Sequence, residues 1–136
     1  MGKRLIIEGV DFSINAIDLS QVIDNLVPGV FDENGIILNT NGKRVSSENY
    51  YLKEEAVNLE VDLNVYKWTA ALYDENKVGI TIVQGWIEDT LNVLDVFDRQ
   101  GKLNYYNKAT YIRFGFGYKD DSVLSPDYFT GKAKIR

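Results

Sequence analysis

At 136 residues, with 45% hydrophobic and 26% charged content, the chain has the size and balance of a single globular domain, residues 1–136, able to bury about two thirds of its unfolded surface. It has no Cys and no His, which excludes disulfides, thiolate and imidazole metal sites, and Ser-His-Asp or Cys-His catalysis. The net charge of -5 argues against nucleic acid as a ligand, because phosphate binding needs clustered Lys and Arg.

The first residues carry Lys3 and Arg4 before Leu5-Ile6-Ile7, but Glu8 ends the apolar run, so no export signal is expected. No run approaches the roughly 20 apolar residues of a membrane span, and no membrane insertion is expected. Residues 5–42 hold no Lys or Arg, while Glu8, Asp11, Asp18, Asp24, Asp32 and Glu33 are acidic. This is a solvated acidic face or a surface that docks on a basic partner.

Over 18–27, Leu19, Val22, Ile23 and Leu26 have helical spacing, with Asp18 as N-cap, Gln21 in the capping-box position and Pro28-Gly29 as stop. One short helix is expected there; a strand followed by a turn is the alternative. Asn34-Gly35 and Asn41-Gly42 bracket Ile36-Ile37-Leu38, and Asn-Gly suits the two positive-φ positions of a tight hairpin. Val57, Leu59, Val61 and Leu63 alternate with polar residues and predict a strand. Tyr66, Trp68, Ala70 and Leu72 predict a second, joined by the polar turn Asp74-Glu75-Asn76-Lys77 to a third with Val78, Ile80 and Ile82.

Residues 91–97 fit a helix, capped by Asp89 or Thr90 and stopped by Gly101, or a doubly buried strand; the neighbouring strands favour the strand. Ile112, Phe114, Phe116 and Tyr118 predict an aromatic core strand, with Arg113, Gly115 and Gly117 facing the other way. Ser125-Pro126-Asp127-Tyr128 reads as a turn, and 132–136 as a final strand at a sheet edge. No internal repeat is evident. The pattern is that of an all-β antiparallel sandwich, with a jelly roll as its specific form.

The chain resembles a family in Asn41-Gly42-Lys43-Arg44-Val45-Ser46-Ser47, Leu72-Tyr73-Asp74-Glu75-Asn76-Lys77 and Ala109-Thr110-Tyr111-Ile112-Arg113-Phe114. These segments are similar to jelly-roll, carbohydrate-binding-module-like domains of phage tail and fibre proteins and of gut-bacterial surface proteins. The resemblance covers about residues 35–118 and rests mainly on core and turn positions. A Pro common before the closing strand is replaced by Tyr105-Tyr106-Asn107-Lys108.

The resemblance implies a non-enzymatic virion module, such as a fibre, decoration or tail-associated protein. Its partners would be other virion or surface-assembly proteins or a host glycan, and by analogy it would form a homotrimer. A free-standing carbohydrate-binding module that stacks on sugar rings is the alternative. Trp68 and Trp86, with Tyr50, Tyr51, Tyr105 and Tyr106, have the side chains for such stacking. Trp68 lies on the inward parity of its strand, which leaves Trp86, Tyr105 and Tyr106 as candidate ligand-binding residues.

Arg113 joins them, because Gly115 and Gly117 bare the surface beside it; a crowded sheet crossing is the plainer explanation of those glycines. No catalytic residues are expected: Glu88 and Asp89 are adjacent on a strand and cannot flank one glycosidic bond. No cofactor is expected either. Asp95, Asp98, Asp120 and Asp121 are the candidates for a structural Ca2+, although they lack the alternating Asp/Asn loop that would mark one.

Overall fold

The computed structural model describes residues 21–56 and 58–136, together with the backbone of a small hairpin, β1 (Leu5–Ile7) and β2 (Val10–Phe12). The fold is an all-β, antiparallel, sandwich-like arrangement. Its frame is two eight-residue strands, β10 (Tyr66–Tyr73) and β12 (Tyr111–Tyr118), paired in register along their whole length. Around them run β11 (Gly79–Ile82) on one side and β7 (Arg44–Ser47) and β4 (Leu26–Pro28) on the other, in the order β11-β10-β12-β7-β4. The short β8 (Tyr51–Leu52) also pairs with β12.

The alternation in β10 and β12 divides this sheet into two faces. Trp68, Ala70 and Leu72 with Ile112, Phe114 and Phe116 form one face, all fully buried. At roughly 1.5–3 kcal/mol for each large side chain, this face supplies much of the driving force for folding. The layer over it comprises a three-stranded sheet and three short helices. The sheet has the order β3 (Gln21–Val22), β13 (Lys134–Ile135), β9 (Leu59–Glu60); the helices are α1 (Val93–Arg99), α2 (Leu103–Lys108) and α3 (Pro126–Phe129). Ile23, Leu59, Ile135, Val96, Phe97 and Phe129 join the same core from this side.

The opposite face carries Lys67, Thr69, Ala71 and Tyr73 from β10 and Arg113, Gly115 and Gly117 from β12, and it is buried too. A second hairpin, β5 (Val30–Phe31) and β6 (Ile37–Leu38), covers part of it. Phe31, Ala71 and Tyr73 make a small core there, with Val30, Ile37, Tyr50, Ile82 and Tyr111 around them.

The long β10–β11 hairpin and the aromatic β12 follow the sequence expectation, and several segments do not. In place of a helix over 18–27 there are β3 and β4, separated by Asn25 in the left-handed region at φ 53°; residues 18–20 lie outside the described residues. Fully buried Ile23 bonds to the Ala133 carbonyl at 2.9 Å, while neighbouring Val22 is 40% exposed, which is strand-like alternation. Residues 91–97 go the other way. Asn92 caps α1 by accepting the Asp95 N–H at 2.9 Å, and Val93, Val96 and Phe97 point inward.

The strand predicted from Val57 to Leu63 is reduced to β9, because Asp62 begins a turn by accepting the N–H groups of Val65 and Tyr66; Val57 lies outside the described residues. Ser125 to Tyr128 is not a plain turn. Ser125 caps α3 with Pro126 in its first turn. Finally, β13 is the middle strand of its sheet and not an edge.

Candidate functional site

The two Asn-Gly sites differ from simple hairpin turns. Only the glycines take positive φ, Gly35 at 75° and Gly42 at 67°, and Asn41-Gly42 connects β6 to β7, which do not pair with each other.

The loop holding Gly35 is a five-residue turn, Asp32-Glu33-Asn34-Gly35-Ile36. The Asp32 carboxylate accepts the N–H groups of Asn34 at 2.8 Å and Ile36 at 3.0 Å. The Gly35 N–H donates to the Asp32 carbonyl at 3.0 Å, and the Asp32 N–H to that of Ile36 at 2.8 Å. The β10–β11 connection, Asp74-Glu75-Asn76-Lys77-Val78, repeats this construction. Asp74 accepts the N–H groups of Asn76 at 2.8 Å and Val78 at 3.0 Å, and Lys77 takes the place of Gly35 with φ 64°. Asx side chains favour such turns by bonding their own backbone two residues on.

The two turns lie side by side, so that a Cβ on Gly79 would stand 1.9 Å from the Asn34 carbonyl oxygen. Between and beneath them is a cleft of about 370 Å3 lined by Asn34, Gly35, Ile36, Tyr50, Tyr73, Lys77, Val78, Gly79 and Arg113.

Arg113 forms the floor of this cleft. It is 8% exposed. Its Nε donates to the Tyr73 hydroxyl at 3.1 Å and one terminal nitrogen, Nη2, donates to the Gly35 carbonyl at 3.1 Å. Tyr73 itself donates to that carbonyl at 2.5 Å, and burial pushes its phenol up to about 12 against the opposing pull of Arg113. The guanidinium lies 4.2 Å from the Tyr50 ring centroid and 4.8 Å from that of Tyr73. The Lys77 ammonium lies 5.1 Å from the same Tyr50 ring and 5.6 Å from Tyr111. Among the described residues no carboxylate is within ion-pair distance of either cation. Cation–π contacts hold these charges in place without neutralising them.

The sequence candidates are dispersed. Trp86, beside Gly85 at φ 76°, is half-buried. Its ring lies 5.0 Å from the Arg44 guanidinium and 5.4 Å from the Lys67 ammonium. Both cations reach Asp121, at 2.6 and 2.8 Å. This cluster lies level with Gly117, which pairs with Lys67 and Arg44. Arg113 is four residues back along β12, about 13 Å away at strand rise.

Tyr105 and Tyr106 are not in a loop. They occupy adjacent positions of α2, where successive side chains diverge, so Tyr105 is 48% exposed and Tyr106 3%. Tyr106 packs on Phe97 with ring centroids 5.6 Å apart and cannot stack on a ligand. Trp68 is buried, and its indole N–H donates to the Thr90 carbonyl at 2.9 Å.

The bare stripe beside Arg113 is filled. Ser46, Val30 and Thr69 side chains occupy the space at Gly115, and Arg44 occupies that at Gly117. Among the described residues no group of three or more carboxylates is gathered for a metal; Asp95 pairs with Arg99, Asp121 with Arg44 and Lys67, and Asp120 accepts the Ser122 N–H. Glu88 and Asp89 are engaged with Lys119 and Arg99.

Sequence reasoning singled out neither Tyr73 nor Lys77 as a site residue. The signal that could have found them is the recurrence of Asp-Glu-Asn-x-Ile/Val at 32–36 and 74–78. No protein-family model, curated protein or solved structure matches the chain. Among the described residues no helix is long and apolar enough to cross a membrane.

Proposed function

We propose that the chain is a non-enzymatic binding module. In this reading it is a virion structural or attachment component, of the fibre, decoration or tail-associated kind, that contacts a partner protein or host glycan through the cleft between its twin turns. The observation that carries the binding role is the pair of uncompensated cations, Arg113 and Lys77, held on Tyr50 in the lining of a preformed cleft. The virion context rests on the resemblance of residues 35–118 to jelly-roll modules, and fold analogy alone does not carry function.

A second reading, a free-standing carbohydrate-binding module that works by stacking, draws on half-buried Trp86 and on Tyr105, which is 48% exposed. A glycan array probed with the wild-type protein, Lys77→Gln and Trp86→Ala separates the two. Signal lost in Lys77→Gln supports the cleft, and signal lost only in Trp86→Ala supports stacking. A blank array removes the glycan and leaves a protein partner as the cleft's occupant.

A further inference from the structure

We infer that the cleft recognises the carboxylate of an acidic sugar, a hexuronate or similar sugar acid, with Arg113 and Lys77 as its two anchors; the inference rests on the binding-module reading. Arg113 is more than nine-tenths buried, yet its two assigned bonds, to Tyr73 and Gly35, use only part of a five-donor fork. The other terminal nitrogen, Nη1, has no partner among the described residues, although the guanidinium lines the cleft. Tyr50 lies close to both cations, and Tyr50 and Asn34, both in the lining, carry neutral polar groups of the kind that pair with sugar hydroxyls. A carboxylate entering here meets donors that are already oriented by their rings and by the Gly35 carbonyl, and charge-assisted bonds of this kind are the strong ones.

The surroundings narrow the ligand further. Asp32 and Asp74 turn their carboxylates onto their own turns, while Glu33 and Glu75 are exposed at the two tips. This acidic rim repels a densely charged polyanion at long range. A single carboxylate that passes the rim enters a cleft lined by Arg113 and Lys77, where screening is weaker than outside. Exposed Ile36 and Val78 flank the mouth, at 55% and 59%, and suit the apolar face of a sugar ring better than a string of charges.

The test is an amide chemical-shift titration of the labelled protein with D-glucuronate, D-glucose, an oligoglucuronide and a tripeptide with a free C-terminal carboxylate. The expected result is saturable shifts at Gly35, Tyr50, Lys77 and Gly79 with glucuronate, about tenfold weaker binding of glucose, and a comparable loss in Lys77→Gln. Exposed Lys77 can lose its charge without disturbing the core. The acidic rim predicts that the oligomer binds no tighter than glucuronate, which places the site on a terminal or free sugar acid and supports the inference; tighter binding of the oligomer overturns the selection of a single carboxylate by the rim. Equal binding of glucose and glucuronate overturns the carboxylate assignment but leaves a glycan-binding module standing. Preference for the tripeptide overturns the sugar. No shift at these amides with any probe overturns the site, while the array result still judges the module reading separately.

Discussion

Gly79 lies so close to Asn34 that a Cβ added to it would stand 1.9 Å from the Asn34 carbonyl oxygen and 2.8 Å from its carbonyl carbon. The two turns therefore meet backbone to backbone, and the cleft exists because one of them carries no side chain at the contact. Gly79→Ala has no flexible side chain to push aside, so the β5–β6 turn must move. Overpacking of this kind costs about 1–3 kcal/mol. We expect a lower denaturation midpoint together with shifted Gly35 and Arg113 signals. Gly42→Asn is the control, because its site is open and Asn tolerates positive φ; it should change stability by no more than about 0.5 kcal/mol.

Tyr73 links this geometry to pH. Its folded pKa is about 12 against an ordinary 10.0, so the folded state holds the phenol proton more tightly than the unfolded chain. The corresponding stabilisation is fully present below pH 10 and is lost as pH rises from 10 towards 12. For Tyr73 it amounts to about 2–3 kcal/mol. Tyr66 is also pushed up to about 12, by burial first and then by Tyr118 beside it, so wild-type stability should fall steeply over this window. Tyr73→Phe should be less stable at pH 7 by about 1–2 kcal/mol, having lost two hydrogen bonds. It should also show a shallower alkaline decline. Equal slopes for the two proteins in urea melts across this range would refute the assignment.

The Tyr106 hydroxyl is buried with no hydrogen-bond partner among the described residues, and burial raises its pKa. An unsatisfied buried phenol is costly, and the ring, packed on Phe97, is what contributes. Tyr106→Phe should therefore leave stability unchanged or raise it by about 1 kcal/mol. A loss above that size in calorimetry would mean that the hydroxyl has a partner.

What the sequence made legible, and what it hid, follows from how each segment is covered. Strands β10 and β12 were readable because Trp68, Phe114 and Phe116 recur at period two and face one core. The polar residues between them suggested a solvent face, as alternation ordinarily does. Lys67, Thr69 and Arg113 are instead buried: a hairpin about thirty residues earlier in the chain folds over part of that face, Trp86 and Arg44 lie against its Lys67 end, and no local pattern announces either. Segment 91–97 was ambiguous because its apolar spacing suits both states, and the Asn92 cap decides it. Trp86 and Arg113 were marked together as candidates, but they belong to opposite ends of β12, a separation that depends on pairing register. Lys77 looked like an ordinary turn residue until the second Asp-Glu-Asn turn appeared beside it.

Asp121 provides the clearest test of the Trp86 cluster. It sits at φ 64° and holds Arg44 and Lys67 at 2.6 and 2.8 Å. Lys67 first and then Arg44 lower its pKa below the ordinary 3.8. A depressed carboxylate pKa stabilises the fold above the unfolded value, and the effect is lost as pH falls through the folded one. Asp121→Asn keeps a side chain that tolerates positive φ and removes only the charge. It leaves two cations, both with nearly buried side chains, pressed against one indole without a counter-charge. The variant should be less stable than wild type at pH 7, and the gap should close as pH drops below 3.8 and wild-type Asp121 takes up its proton. Trp68 is fully buried, so a red shift in tryptophan emission at pH 7 would report Trp86 becoming more exposed. Equal stability of the two proteins at pH 7, with unshifted emission, would show that the indole alone keeps Arg44 and Lys67 in place.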